Sequence, residues 1–90
     1  MLEKKFKIIN PTGLDARNSS TLVSKCGQYS SDIKLHLENT AVDSKSIMGV
    51  MSLNAHKGEI IKISVNGIDE VEALEAISYL IQESKLGKEY

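Results

Sequence analysis

Three segments of this chain alternate apolar with polar side chains, and this pattern constrains the fold more than any other feature. The segments are residues 4–8, 33–37 and 61–65. Alternation places the apolar side chains on one face of a strand and the polar side chains on the other. Each strand therefore has one face for a core and one for solvent. Such strands predict an antiparallel sheet that is covered on one side only.

Apolar residues recur at helical spacing between these strands. Residues 16–26 form a candidate helix that Gly27 would end, and a brief apolar helix is expected over residues 47–53. A last helix is expected over residues 69–85, with its apolar face marked by Val71, Leu74, Ile77 and Ile81.

The dipeptide Glu38-Asn39 is a candidate hairpin turn into a short strand over residues 40–42. The predicted order of elements is therefore βαββαβα. It indicates an α+β fold, in which three helices cover one face of a four-stranded antiparallel sheet.

Length and charge restrict the class of protein. Ninety residues predict a single domain over residues 1–90, with one modest core. Eleven basic and twelve acidic residues give a net charge of −1, which does not favour nucleic acid or a membrane as partner. The only cysteine, Cys26, cannot form an internal disulfide, and no apolar run reads as a signal peptide or a spanning helix. These features predict a cytoplasmic protein.

Two helix starts carry candidate functional residues. Asp15 directly precedes the first helix and Ser46 the second, and both residue types are favoured N-caps that need no further function. The second helix is too short to bury all its apolar residues. We expect its Val50 to face inward with Leu53, and an exposed docking patch formed by Ile47 and Met48, with Met51 at its border.

Residues 43–53, with the sequence DSKSIMGVMSL, resemble the regulatory segment of the HPr family of the bacterial sugar phosphotransferase system (PTS). Residues 12–19, TGLDARNS, resemble the phosphocarrier loop of the same family, with Asp15 in place of its phosphorylated histidine. The resemblance covers essentially the whole chain and implies the family's open-faced β-sandwich.

The resemblance implies altered chemistry at the loop. In the family, the histidine accepts a phosphoryl group from Enzyme I and passes it to sugar permease subunits, and Arg17 occupies the phosphate-contacting position. Asp15 is ionised at neutral pH, so it would repel an anionic donor. Asn18 replaces the usual proline, and Ser19 and Ser20 are expected to make this face more polar. Phosphocarrier activity is therefore doubtful.

The resemblance also implies a regulatory role for Ser46. In Gram-positive relatives, HPr kinase/phosphorylase modifies the matching serine, and the phosphoserine form binds a LacI-type catabolite-control regulator. A phosphate at a helix start would be stabilised there, and Lys45 could supply a further counter-charge. The resulting partner-binding set is Leu14, Asp15, Arg17, Ser46, Ile47, Met48 and Met51.

The preferred interpretation is a non-catalytic regulator of carbon catabolite repression, with no cofactor or metal. One alternative is a PTS carrier that uses an atypical acceptor, either Asp15 or His56, which the family fold places near the loop. Another is an interaction module that is not phosphorylated. His36 is expected to be a solvated residue of the sheet.

Overall fold

The computed structural model describes residues 1–90 and contains five strands and three helices. The strands are β1 (Leu2–Ile8), β2 (Asp32–Leu37), β3 (Thr40–Asp43), β4 (Ile60–Asn66) and β5 (Gly87–Glu89). The helices are α1 (Ala16–Cys26), α2 (Ile47–Ser52) and α3 (Glu70–Glu83). All strand pairs are antiparallel, in the order β3-β2-β4-β1-β5. The predicted α+β fold is confirmed, with one strand more than expected.

The unexpected strand, β5, follows a reversal of the chain after α3. Lys85 adopts a positive φ of 60°, and the buried Leu86 then accepts backbone hydrogen bonds from Ile9 and Asn10 at 2.9 and 3.2 Å. These contacts align Gly87 opposite Ile8 at the edge of β1. The three residues of β5, Gly-Lys-Glu, include no large apolar side chain and show no alternation, so periodicity could not identify the segment as a strand.

The core lies between the sheet and the helices. Most inward side chains of β1, β2 and β4 are at most 1% exposed, although Leu2 and Leu37 are half-buried, and helix residues meet them from the other side. The largest fully buried side chains include Phe6, Ile8, Leu22, Cys26, Ile33, Leu35, Ile61, Ile63, Val65, Ile77 and Ile81. No helix in the chain combines the length and the apolar composition needed to cross a membrane.

The prediction that Val71 lies on the core face of α3 is wrong. Val71 is 56% exposed, whereas Ala73 and Ile77 are fully buried. The buried residues of α3 are Ala73, Ile77, Ser78 and Ile81, whereas Val71 lies in the first turn of the helix. Burial on α3 therefore begins only at Ala73, later in the helix than the apolar pattern predicted.

Candidate functional site

Asp15 is the N-cap of α1, as predicted. Its backbone is extended (φ −74°, ψ −176°), and its Oδ1 atom accepts a 2.8 Å hydrogen bond from the backbone N–H of Asn18. This bond is the main reason why the pKa of the Asp15 carboxyl is lowered, and the positive charge of Arg17 adds to the effect. The carboxylate is thus held in its charged form and is already engaged within its own helix turn.

Asn18 also closes the loop before α1. Its Nδ2 atom donates a 2.7 Å hydrogen bond to the carbonyl of Gly13. Sequence reasoning identified Asn18 only as a missing proline, but a proline would supply neither the backbone donor nor the amide side chain. Ser19 is completely buried and donates to the Leu14 carbonyl at 3.1 Å, so the expectation that it adds polar surface was wrong; Ser20 is exposed.

The loop packs against the segment that follows α2. The backbone N–H of Leu14 donates a 3.0 Å hydrogen bond to the carbonyl of Ala55. Gly13 has a φ of 62°, and a Cβ atom at this position would collide with the same carbonyl. Leu14 is only 5% exposed and belongs to the core. Contact of Leu14 with partners stays a prediction, and burial leaves little of its side chain accessible for such contact.

Arg17 lies exposed in the first turn of α1. Its positive charge contributes to the lowered pKa of Asp15, but the two side chains form no ion pair. Both residues line a cavity of about 560 Å³ in which Asp15 is the only carboxylate. The remaining lining residues are Asn10, Thr12, Asn18, Thr21, Leu22, Leu80, Ser84 and Leu86.

Neither histidine forms an ion pair with Asp15. His56 is exposed in the loop after α2, forms no ion pair, and donates its backbone N–H to Glu59 Oε1 at 2.7 Å. The Nε2 atom of His36 lies 2.9 Å from Ser64 Oγ on the outer face of the sheet. Burial, followed by the charge of Lys62, lowers the pKa of His36. His36 is thus half-buried, not freely solvated as expected.

Ser46 is the N-cap of α2, again as predicted. Its Oγ atom accepts a hydrogen bond from the backbone N–H of Gly49 at 3.2 Å, which is longer than the bond that Asp15 accepts. The ammonium group of Lys45, expected as a counter-charge, donates to the Tyr29 carbonyl at 2.7 Å. The cation next to Ser46 in the sequence is therefore already engaged with a backbone carbonyl.

The apolar residues of α2 divide as the sequence predicted. Val50 is fully buried and Leu53 packs partly buried against the core. Ile47, Met48 and Met51 are 39%, 78% and 40% exposed, with Met51 close to the border between the two groups. Three large apolar side chains are therefore exposed directly after Ser46.

The fold is an open-faced β-sandwich, with three helices on one face of the antiparallel sheet and capped starts at α1 and α2. The PTS-HPr family, described as "PTS HPr component phosphorylation site", matches residues 2–83. This chain belongs to the HPr family of the sugar phosphotransferase system.

Similar proteins include phosphocarriers and one protein of catabolite repression. The phosphocarrier protein HPr of Neisseria meningitidis serogroup A is 40% identical over 81 residues, which cover 90% of this chain and 91% of that protein. The histidine-containing phosphocarrier protein of Mycoplasma superposes with a TM-score of 0.93 at 29% identity, covering 96% and 98% of the two chains. Crh of Bacillus subtilis, a catabolite repression protein crystallised as a swapped dimer, gives a TM-score of 0.73 at 36% identity, covering 92% and 95%.

Proposed function

We propose that this chain is a regulatory HPr-family protein of carbon catabolite repression. It signals through phosphorylation of Ser46 and through protein contacts in the cytoplasm, and it neither catalyses a reaction nor relays phosphate through Asp15. One observation carries the proposal: the Asp15 carboxylate is occupied by the backbone N–H of Asn18 at 2.8 Å. The helix start that would receive phosphate in a carrier already holds an anion of its own.

The chemistry of Asp15 opposes phosphoryl transfer. A phosphocarrier needs a nucleophile that can approach an anionic donor and release the group again. A carboxylate with a lowered pKa is permanently charged, and one of its oxygen atoms is engaged in the helix cap. The like charge of the donor repels it, and no second carboxylate lines the cavity to help hold a neutralising cation. Arg17 is the only cationic side chain lining the cavity.

Ser46 has the opposite properties. Its hydroxyl is neutral and half-exposed, and it accepts a single 3.2 Å hydrogen bond. A phosphate would add a charge of about −1.5 to −2 at neutral pH. That charge would stand beside the exposed side chains of Ile47, Met48 and Met51. A partner that binds both the anion and the apolar surface would distinguish the phosphorylated from the unmodified form.

The proposed partners follow from the family resemblance. HPr kinase/phosphorylase would modify Ser46, and a LacI-type catabolite-control regulator would bind the product. The ammonium group of Lys45 already donates one hydrogen bond to the Tyr29 carbonyl, and we propose that the regulator supplies the main cation that meets the phosphate. Asp15 and Arg17 contribute a fixed charge pattern at the neighbouring helix start, and Asp15 partly imitates a phosphorylated histidine. The similarity to Crh supports this regulatory assignment.

A carrier role is the second candidate, favoured by the 40% identity to phosphocarrier protein HPr and by the retained Arg17. Its acceptor would be Asp15 or His56, with Enzyme I as donor and a permease subunit as recipient. An unphosphorylated interaction module is the third.

The regulatory proposal is tested by measuring affinity for a LacI-type catabolite-control regulator by calorimetry. Protein phosphorylated at Ser46 should bind, and the unmodified protein and the Ser46→Ala variant should bind at least about tenfold more weakly, as for lost charge-assisted contacts. The matched control is Ser52→Ala, which removes an exposed hydroxyl at the other end of α2. Equal affinity of the phosphorylated and unmodified forms would contradict the proposal.

A further inference from the structure

The face of the sheet that no helix covers carries a concentration of lysines. Lys5 and Lys7 project from β1, Lys62 from β4 and Lys88 from β5, all away from the core side of Phe6. The strand register sets Lys5 directly opposite Lys62 and Lys7 directly opposite Lys88. These four residues are called the lysine cluster.

The lysine cluster does not serve the stability of the sheet. Like charges directly opposite each other on neighbouring strands are destabilising. Within the cluster only Lys62 forms an ion pair, with its Nζ atom 3.4 Å from Glu3 Oε2. The other three lysines form no ion pair. Because the whole chain has a net charge of −1, this cluster reflects local segregation of charge and not a basic composition.

A shallow depression of about 270 Å³ adjoins the lysine cluster. Lys5, Lys62 and His36 contribute to its lining, together with Ile60 and Glu38. The ring of His36 is held by its 2.9 Å contact with Ser64 Oγ. The depression therefore combines two lysines with one carboxylate, that of Glu38, and with the apolar side chains of Ile60 and Ile61. Mixed cationic and apolar surface suits a peptide better than an isolated ion.

We propose that the lysine cluster is a docking surface for an acidic protein segment in an extended conformation. The cluster spans three adjacent strands, a width of about 10 Å at a spacing of about 4.8 Å per strand. A small anion would reach only part of this width. An extended segment places alternate side chains about 7 Å apart on one face, so that successive carboxylates can meet different lysines.

This docking surface goes beyond the function proposed for Ser46. The lysine cluster lies on the side of the sheet opposite to α1 and α2, which carry Asp15 and Ser46. A partner bound at the lysine cluster would leave both helix starts accessible. The chain could then hold an acidic protein on one face while the phosphorylated Ser46 binds a regulator on the other. Charge complementarity at such a surface mainly accelerates and orients association.

The test is an NMR titration of the full chain with an octaglutamate peptide at low ionic strength. Amide shifts should centre on β1, β4 and β5 near the lysine cluster. The Lys5→Gln/Lys7→Gln variant should bind about fivefold more weakly, as expected for two exposed charge pairs. The matched control is Lys25→Gln/Lys57→Gln, which makes the same change of charge at two lysines that form no ion pair and lie outside the sheet. This control should bind as the wild type does.

Several outcomes would overturn the proposal. Shifts centred on α1 or α2, or equal weakening by both double variants, would show that the peptide follows total charge. Equal binding of an octaglutamine peptide would remove the electrostatic argument. Inorganic phosphate that produces the same shifts at the same concentration would identify a small-anion site instead. Shifts that depend on protein concentration without peptide would identify a second copy of the chain as the occupant. Ser46 phosphorylation is not involved in the titration, so its failure leaves the function proposed above to its own test.

Discussion

The starts of α1 and α2 use the same capping geometry for different purposes. At α1, the charged Asp15 accepts a 2.8 Å hydrogen bond, and Asn18 returns a second bond to the loop through its side chain. At α2, the neutral Ser46 accepts a 3.2 Å bond and precedes the exposed Ile47 and Met48. The first start has its negative charge built in, whereas the second can acquire one.

Under the proposed function, this difference moves the signal from the start of α1 to the start of α2. A carrier loop must leave its acceptor free. Here the backbone N–H of Asn18 bonds the Asp15 carboxylate, and the Asn18 side chain bonds the loop at Gly13. The loop is also hydrogen-bonded to the Ala55 carbonyl. The modifiable hydroxyl of Ser46 stays beside an apolar surface that a partner can contact. Each prediction below changes one side of this comparison, beginning with the largest expected effect.

The largest expected effect comes from giving the start of α1 the histidine and the proline of a phosphocarrier loop. The Asp15→His/Asn18→Pro double variant should accept phosphate from phosphoenolpyruvate and Enzyme I, changing from no labelling to stoichiometric labelling. The imidazole supplies a neutral nucleophile and the proline removes the N–H that Asp15 occupies. Phosphate is measured by intact mass under neutral conditions. Asp15→His alone should be labelled more slowly, since Asn18 still ties the loop to Gly13. Failure of the double variant to take up any phosphate would contradict this account of the loop.

Closure of the loop is tested by the Gly13→Ala variant. A methyl group at this positive φ would meet the Ala55 carbonyl, so unfolding free energy should fall by about 2–4 kcal/mol. Gly58→Ala is the matched control, because Gly58 also has a positive φ, of 94°, but nothing lies within 4 Å of its added Cβ atom. It should lose only about 1 kcal/mol, from backbone strain alone. Urea denaturation measures both values. Equal losses would show that Ala55 does not hold the loop.

The weaker cap at α2 predicts a small effect of Ser46→Ala. Loss of the hydroxyl should lower the unfolding free energy by about 0.5 kcal/mol, the low end for an N-cap. Ser46→Asp should keep the cap and add a favourable charge at the start of the helix. Thermal unfolding of the two variants provides the comparison. A Ser46→Ala variant that loses more stability than Asp15→Ala would reverse the assignment of the stronger cap.

The smallest expected effect is a change in the pKa of Asp15, which tests the role of the Asn18 backbone N–H. Asn18→Pro removes the main cause of its lowered value, so the pKa should rise towards the ordinary 3.8. The lowered pKa stabilises the folded state above the pKa of the unfolded chain, and this contribution is lost as pH falls through the folded value. The variant should therefore lose less stability on acidification. Carboxyl NMR titration measures the change, with Asp69 as control, because its pKa of about 2 depends on Ser31 and Ser30. An unchanged Asp15 pKa would contradict the role of Asn18.

Periodicity predicted most of the fold because the inward residues of β1, β2 and β4 are separated by polar outward ones. It could not predict β5, whose position depends on burial of Leu86 and pairing with Ile8. It also placed Val71 in the core, since spacing along a helix does not reveal at which turn burial begins.

The candidate site was predictable where local sequence determines geometry. The capping roles of Asp15 and Ser46, and the exposure of Ile47 and Met48, follow from residue type and helix length. The burial of Leu14 and the double hydrogen bonding of Asn18 were not predictable, because both depend on how the loop returns against its neighbours.

Localisation of phosphate by mass spectrometry tests the central claim most directly. The wild-type chain is incubated with phosphoenolpyruvate and Enzyme I in one reaction, and with ATP and HPr kinase/phosphorylase in another. The account predicts no phosphate in the first reaction and a single phosphate on Ser46 in the second. Rapid and reversible labelling in the first reaction that persists in the Ser46→Ala variant would contradict it.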